Sequence, residues 1–300
     1  MNFALAALLT RAIDYAGVFP PAKLELAPAL EDYSRYRRGP EDWILGKFVV
    51  RTAQLGDLAR LIAQHSPEKP IAISAVGRSG VDRASWETGL EADVAALNAF
   101  ESSVGEFATI NAYENRLPNN EEAVEWIRDL QGFSGVDVFA ELAWGSGQGD
   151  AMAVAAESEF INIKARTGGE SATAFPTSEE LAGFIQSAAQ LGLAFKVTAG
   201  LHHAFPHRDP HLGLRMHGFV PVFAATACAC THDLTIREIT AILDSESPSD
   251  FHFSDRGLIV QNWTVGVDDL ADTRECIVAF GSCSIDEPLE TLRRAGLDID

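Results

Sequence analysis

The sequence predicts an α/β chain of the (β/α)8 TIM-barrel class, with a helical cap at the N-terminus and an insertion after the sixth strand. Three observations carry this expectation. Short β-rich runs recur at fairly even intervals, segments of helical periodicity separate them, and a final strand with a small-residue turn stands near the C-terminus. Strands alternating with helices imply right-handed βαβ units around a parallel sheet. A length of 300 residues suits one such domain, taken as 1–300. With 47% hydrophobic residues a core can form without disulfides or structural metal.

In chain order, residues 1–42 form the cap. Its opening run reads as the first turns of an amphipathic helix, because no basic segment precedes it and Arg11 and Asp14 interrupt it. Gly17 and Pro20 stop that helix. Strands follow at Trp43–Arg51, Ile71–Gly77, Phe107–Tyr113, Val136–Trp144, Phe160–Thr167 and Leu193–His203. Helical segments are expected at Gln54–Gln64, Ala92–Phe100, Asn120–Leu130 and Ser178–Leu191. Residues 204–250 read as a His-rich loop and helical insertion, with helices near Val220–Cys230 and Thr235–Leu243. The run Phe251–Val265 is left to supply the seventh strand, and Cys276–Ser284 the last. An open doubly wound sheet is the alternative, but no Gly-x-Gly-x-x-Gly follows the first strand and no Gly-Lys-Ser/Thr loop occurs.

Charge narrows the partners. The chain carries 23 Lys and Arg against 43 Asp and Glu, a net charge of −20. That balance repels nucleic acid and anionic membrane surfaces. No run approaches the roughly 18 apolar residues of a membrane span. The 4 cysteines follow no framework spacing, which suits a reduced, cytoplasmic protein. A homo-oligomer is compatible with everything above.

Strand parity then selects candidate site residues. Side chains alternate between the helices and the barrel axis. In Phe160–Thr167 the apolar set Ile161, Ile163 and Ala165 faces the helices and leaves Asn162, Lys164 and Arg166 on the axis. By the same rule Lys196 and Thr198 point inward beneath Phe195, Val197 and Ala199; Lys47 and Arg51 beneath Phe48 and Val50; Asn111 and Tyr113 beneath Ile110 and Ala112; and Glu141 between Val138, Ala140 and Leu142. A structural barrel fills such positions mainly with Val, Ile and Leu. Charges gathered there point to a ligand site, since isolated buried charges cost several kcal/mol each. A neutral axial lysine beside a second cation is a nucleophile for a carbonyl carbon. The plainer alternative is that each lysine pairs with a carboxylate such as Glu141.

Lys164-Ala-Arg-Thr-Gly-Gly169 and Lys196-Val-Thr-Ala-Gly200 together resemble the class I, deoxyribose-phosphate-type aldolases, whose barrels carry a Schiff-base lysine in a Lys-x-x-Thr-Gly turn and a second lysine on the next strand. Phe280-Gly-Ser-Cys-Ser284, followed by Asp286-Glu-Pro-Leu-Glu-Thr-Leu292, is similar to the small-residue turn with which such families hold a phosphate. The resemblance implies that Lys164 is the Schiff-base amine, that Lys196 lowers its pKa, that an inward carboxylate moves protons, and that Ser282 contacts substrate. The second turn departs from the family by having one Gly followed by His202 and His203, and the strand count places the lysines on strands five and six instead of six and seven.

His202, His203, His207, His211 and His217 crowd one loop. His202 or His203 suits acid/base work or substrate binding; metal ligation is the alternative, although no helical His-x-x-x-His is present. Cys228-Ala-Cys230-Thr-His232 lies in an apolar run and reads as core packing.

These residues define three expectations. The first is a carbon–carbon lyase acting on a small anionic carbonyl compound through a Lys164 Schiff base, with Lys196, Glu141 and His202 in catalysis and no cofactor. In it Lys47, Arg51, Asn111, Tyr113, Asn162, Arg166, Thr198, His203 and Ser282 contact substrate. The second is an isomerase or hydrolase using a divalent metal held by Glu141 with His202 or His203. The third is a barrel that binds without catalysing. With Lys47, Arg51, Lys164, Arg166 and Lys196 on the axis, the chain is an acidic shell around a cationic pocket.

Overall fold

The computed structural model describes residues 2–65, 67–133, 135–169, 174–209 and 213–297. Its strands are β1 (Ile13–Tyr15), β2 (Leu45–Arg51), β3 (Ile71–Val76), β4 (Ala108–Arg116), β5 (Asp137–Glu141), β6 (Ile161–Arg166), β7 (Phe195–Thr198), the pair β8 (His207–Arg208) and β9 (Arg215–Met216), the three strands β10 (Phe251–Ser254), β11 (Gly257–Val260) and β12 (Trp263–Gly266), and β13 (Ile277–Ser282). Eight of them close a parallel barrel in the order β1-β13-β7-β6-β5-β4-β3-β2. The α-helices are α1 (Phe3–Leu9), α2 (Leu26–Arg38), α3 (Leu55–His65), α4 (Arg83–Val104), α5 (Ala123–Leu130), α6 (Gln148–Ala156), α7 (Ser178–Leu191), α8 (Phe219–Thr231), α9 (Ile236–Leu243), α10 (Val267–Cys276) and α11 (Asp286–Arg294). The chain is thus a (β/α)8 barrel, as its alternation of elements predicts.

Two details of the predicted topology are corrected. The expected helical cap contains the first barrel strand, β1, which at three residues is too short to show an alternating pattern. The run Phe251–Val265 does not enter the barrel; it folds into the antiparallel sheet β10-β11-β12, with Phe251 opposite Val260 and Gly257 opposite Gly266. The insertion therefore follows the seventh strand, and Lys164 and Lys196 stand on strands six and seven.

By contacts the chain forms two compact units, Ile13–Lys164 and Met1–Ala12 with Ala165–Asp300. In the first, β1 is held by aromatic packing: the Tyr15 ring lies 6.2 Å from Tyr33 and 5.7 Å from Tyr36 of α2, and 6.1 Å from Phe48 of β2. Between the outward Ile13 and Tyr15, Asp14 is turned to the axis and accepts a 2.7 Å hydrogen bond from the Lys47 amide.

Strand β4 carries a bulge. Ile110 pairs with Ile73 but Ala112, not Asn111, pairs with Ser74, so one extra residue inverts the faces beyond it. Asn111 is consequently exposed, and Tyr113 turns outward to stack on Phe133 at 4.0 Å. The Tyr113 hydroxyl donates to Asp93 of α4 at 2.8 Å, as do the Thr52 hydroxyl at 2.5 Å and the Arg78 amide at 2.8 Å, with the Arg78 guanidinium completing the set. Burial, and then the Asp93 charge, push the Tyr113 phenol well above its ordinary range. This outer network ties α4 to the ends of β2, β3 and β4.

In the second unit, α8 is buried from Phe219 to Cys228, as its apolar circumference requires. Phe280 of β13 packs 4.8 Å from Phe219 and 5.9 Å from Phe223, and Phe195 of β7 packs 5.3 Å from Phe184 of α7. Thr177 and Thr235 cap α7 and α9, each paired with a Glu three residues on. The turns after β6 and β7 touch: a Cβ on Gly200 would lie 2.6 Å from the Thr167 carbonyl oxygen, and one on Gly168 would lie 3.0 Å from Gly200 Cα. Glycine at both turns is thereby explained by loop packing, whatever ligand the loops hold.

Replacing Asp93 by Ala strands two buried hydroxyls, and we expect it to lower the unfolding free energy by about 3 kcal/mol in urea titrations. Asn111→Ala should change it by no more than about 0.5 kcal/mol; a large loss at Asn111 would contradict the bulge.

Candidate active site

A buried polar group of the first unit is built from four successive strands. Lys164 on β6 places its Nζ 2.7 Å from Glu141 Oε2 on β5 and 3.0 Å from Glu114 Oε2 on β4. The Ser74 hydroxyl on β3 donates to Glu114 Oε1 at 2.5 Å. The three charged side chains are only 5%, 2% and 3% exposed for Lys164, Glu114 and Glu141. Parity and register put them there. Ile163 and Ala165 are buried on the opposite face, and Glu141 pairs in register with Lys164. All lie toward the C-terminal ends of their strands, the face on which (β/α)8 barrels carry chemistry.

Burying an ammonium ion beside two carboxylates is costly unless each charge is compensated. Such a group persists because each charge has an opposite partner within hydrogen-bond distance and Ser74 satisfies the second oxygen of Glu114. Chemically, the amine has two adjacent proton acceptors.

A second group lies in the other unit. Beyond β7 the chain turns through Ala199 and Gly200, both at positive φ, and delivers His202 and His203 to Glu287 in the first turn of α11. Glu287 lies 3.3 Å from His202 Nδ1 and 3.5 Å from His203 Nε2. Burial opposes charging of His202, but hydrogen bonds with Cys283 and Glu287 outweigh it, and the imidazole is pushed up to about 9. The hydrogen bonds from His202 and then His203 hold the Glu287 carboxyl well below the usual carboxylate range. The His203 ring stacks on His207 at 3.8 Å, and burial followed by the neighbouring His203 pushes His207 down.

Of the residues singled out by sequence, Lys164 and Glu141 meet directly. Lys196 is buried on β7, with the flanking Phe195 and Val197 buried on the other face. Asn162 and Arg166 on β6, Thr198 at the end of β7 and Lys47 on β2 are half-buried. Ser282 is buried; its hydroxyl donates to the Ser284 carbonyl at 2.6 Å and lies 3.5 Å from His202 Nδ1. Three residues fall elsewhere than expected. Arg51 is exposed at the end of β2, its guanidinium 4.3 Å from the Phe19 ring centroid, and the bulge removes Asn111 and Tyr113 from the axis. His217 is bound to the Pro176 carbonyl at 3.0 Å, a structural contact; His211 lies outside the described residues.

Sequence reasoning missed Glu114 and Ser74. Glu114 stands one residue past the expected end of its strand, and parity alone would turn it outward. Asp14 was legible as a charge between Ile13 and Tyr15, had that run been taken for a strand.

Among the described residues, no group of three or more His, Cys, Asp or Glu side chains is arranged to hold a metal ion. Glu141 is engaged by Lys164, and His202 and His203 by Glu287. Among the same residues no helix is long and apolar enough to cross a membrane. Fold and site thus define a (β/α)8-barrel protein with a buried Lys–Glu–Glu centre. Compared with protein-family models, curated proteins and solved structures, the chain matches none significantly.

The His202–Glu287 contact makes a pH-dependent contribution. For His202, raised in the folded state, stabilisation is complete below its ordinary 6.5 and disappears as pH rises through about 9. For Glu287, lowered in the folded state, it is present above the ordinary 4.5 and declines as pH falls below that. We expect Glu287→Gln to cost about 1–2 kcal/mol at pH 6, allowing for solvent screening of the half-exposed carboxylate, and almost nothing at pH 10. Urea unfolding at both pH values measures this; an equal cost at both would exclude the pairing as its source.

Proposed function

We propose that this protein is an enzyme that breaks or forms a carbon–carbon bond in a small anionic carbonyl compound through a Schiff base on Lys164. One observation carries the reading: a lysine buried toward the C-terminal end of a barrel strand has two carboxylates at 2.7 and 3.0 Å. A purely structural role for three buried charges is costly, whereas an amine flanked by proton acceptors suits carbonyl chemistry. The anionic character of the substrate is carried over from the sequence, in which basic residues recur at inward strand positions of a chain whose net charge is −20.

In this scheme the Lys164 ammonium passes a proton to a carboxylate, Glu141 being the nearer, and the freed amine attacks the carbonyl carbon. The resulting carboxylic acid returns the proton to the hydroxyl of the carbinolamine, which leaves as water and yields an iminium ion. Cleavage sends the electrons of the carbon–carbon bond into the iminium as an enamine, while the substrate's β-hydroxyl proton goes to Glu114 or Glu141. Protonation of the enamine carbon and hydrolysis then release the second product and restore the lysine. Glu114 enters as a proton-transfer group beside Glu141, a role that extends the expectation drawn from sequence.

Incubation of the protein with a panel of small aldehydes, keto acids and their phosphorylated forms, with borohydride and peptide mass spectrometry, tests the reading. A reduced adduct on Lys164 is expected with any compound that turns over. Adducts confined to exposed lysines such as Lys23 and Lys69, or to Lys196, would overturn the assignment. Glu141→Gln should lower kcat by about 10²–10⁴-fold with the far-ultraviolet spectrum unchanged.

A further inference from the structure

Strand β4 ends on a cation that the Lys164 centre does not engage. Arg116 is the last residue of β4, two residues beyond Glu114. Past the bulge the strand alternates regularly, so Glu114 and Arg116 share the axial face, while Asn115 between them donates to the outward Tyr113 hydroxyl at 2.7 Å. Register extends the layer of Arg116 across the sheet: Arg116 pairs with Glu141, and Glu141 with Lys164. Arg116 is exposed, and among the described residues no carboxylate is bonded to its guanidinium. Other arginines of the same unit are committed, since Arg35, Arg60, Arg78 and Arg83 each hold an aspartate.

We propose that the Arg116 guanidinium binds the oxyanion of the substrate, a carboxylate or phosphate group carried a few bonds from the carbonyl carbon, and thereby selects charged over neutral carbonyl compounds. In this role, which rests on the reading of Lys164 as the attacking amine, Arg116 sets specificity and moves no proton. Its position suits the task. The ion pair with Glu114 holds Lys164 Nζ 3.0 Å from a side chain of β4, and residues two apart on a strand are separated by about 6.5–7 Å. An oxyanion a few bonds from the attacked carbon therefore comes within the span of the Arg116 side chain.

Electrostatics gives a second reason. Lys164 lies between two carboxylates, and an anion brought to that amine is repelled by both unless a further cation meets its charge. Arginine is the residue type for this place. A guanidinium keeps its charge whatever protons move among Lys164, Glu114 and Glu141, and its planar fork matches two oxygens of one carboxylate or phosphate. A lysine there would offer a point charge without that fit.

The test uses the full chain and two matched pairs of probes, pyruvate with pyruvamide and glyceraldehyde 3-phosphate with glyceraldehyde. Borohydride trapping on Lys164 is followed by peptide mass spectrometry against probe concentration. In at least one pair the wild-type chain should favour the charged member, and Arg116→Ala should lower the charged-to-neutral ratio about 10–100-fold, with Arg116→Lys lowering it less. Arg128→Ala, which removes an exposed positive charge from α5, should leave the ratio unchanged. The pair that responds tells carboxylate from phosphate. A wild-type chain that favours neither charged member, or a ratio unmoved by Arg116→Ala, overturns the assignment of Arg116 and leaves that of Lys164 intact. If no probe is trapped on Lys164, calorimetric titration of the same chains with pyruvate and with inorganic phosphate decides. Saturable binding weakened at least about 10-fold by Arg116→Ala upholds Arg116 and counts against the lysine alone; binding that is absent, or indifferent to Arg116, overturns it.

Discussion

The barrel depends on satisfying a lysine ammonium ion in its interior. Lys164 is nearly sealed from solvent, and a lone charge there would cost the fold several kcal/mol. Glu141 is delivered by simple register, since it is the neighbour of Lys164 on the adjacent strand. Glu114 is delivered only because β4 carries one extra residue at Asn111. Ser74, across that same bulge, then orients Glu114 through its other oxygen. A site of four side chains from four strands thus rests on one irregular hydrogen-bond ladder.

The bulge has a second effect on the outer face. By turning Tyr113 toward the helices it supplies one arm of the Asp93 network, which also gathers Thr52 and Arg78. Inner and outer polar networks are therefore two faces of one local deformation. The strand ends that carry the charged centre are held in place from behind, as precise acid–base geometry requires.

The charge contrast expected from composition takes a different form. Arg51 lies outside on the Phe19 ring, and Lys164 carries its own pair of carboxylates, so the axis is not a simple cationic pocket. Arg166 stands on β6 and Lys196 on β7, while His202 and His203 meet Glu287 beyond β7. The acidic excess is real in composition, and at the Lys164 centre the lysine stands between two carboxylates.

The sequence by itself determined the fold class, most strand positions, and the inward course of Lys164, Glu141 and Lys196, because side-chain alternation and hydrophobic periodicity are local properties of the chain. It could not reveal β1, since three residues are too few to alternate, and so the lysines were counted one strand early. Only the tertiary structure decided that Glu114 faces the axis while Asn111 and Tyr113 leave it, because a bulge is set by pairing with the neighbouring strand and reverses every face beyond it. The meeting of His202 with Glu287 was likewise beyond the sequence. That contact joins segments far apart in the chain, and no local rule of spacing brings them together.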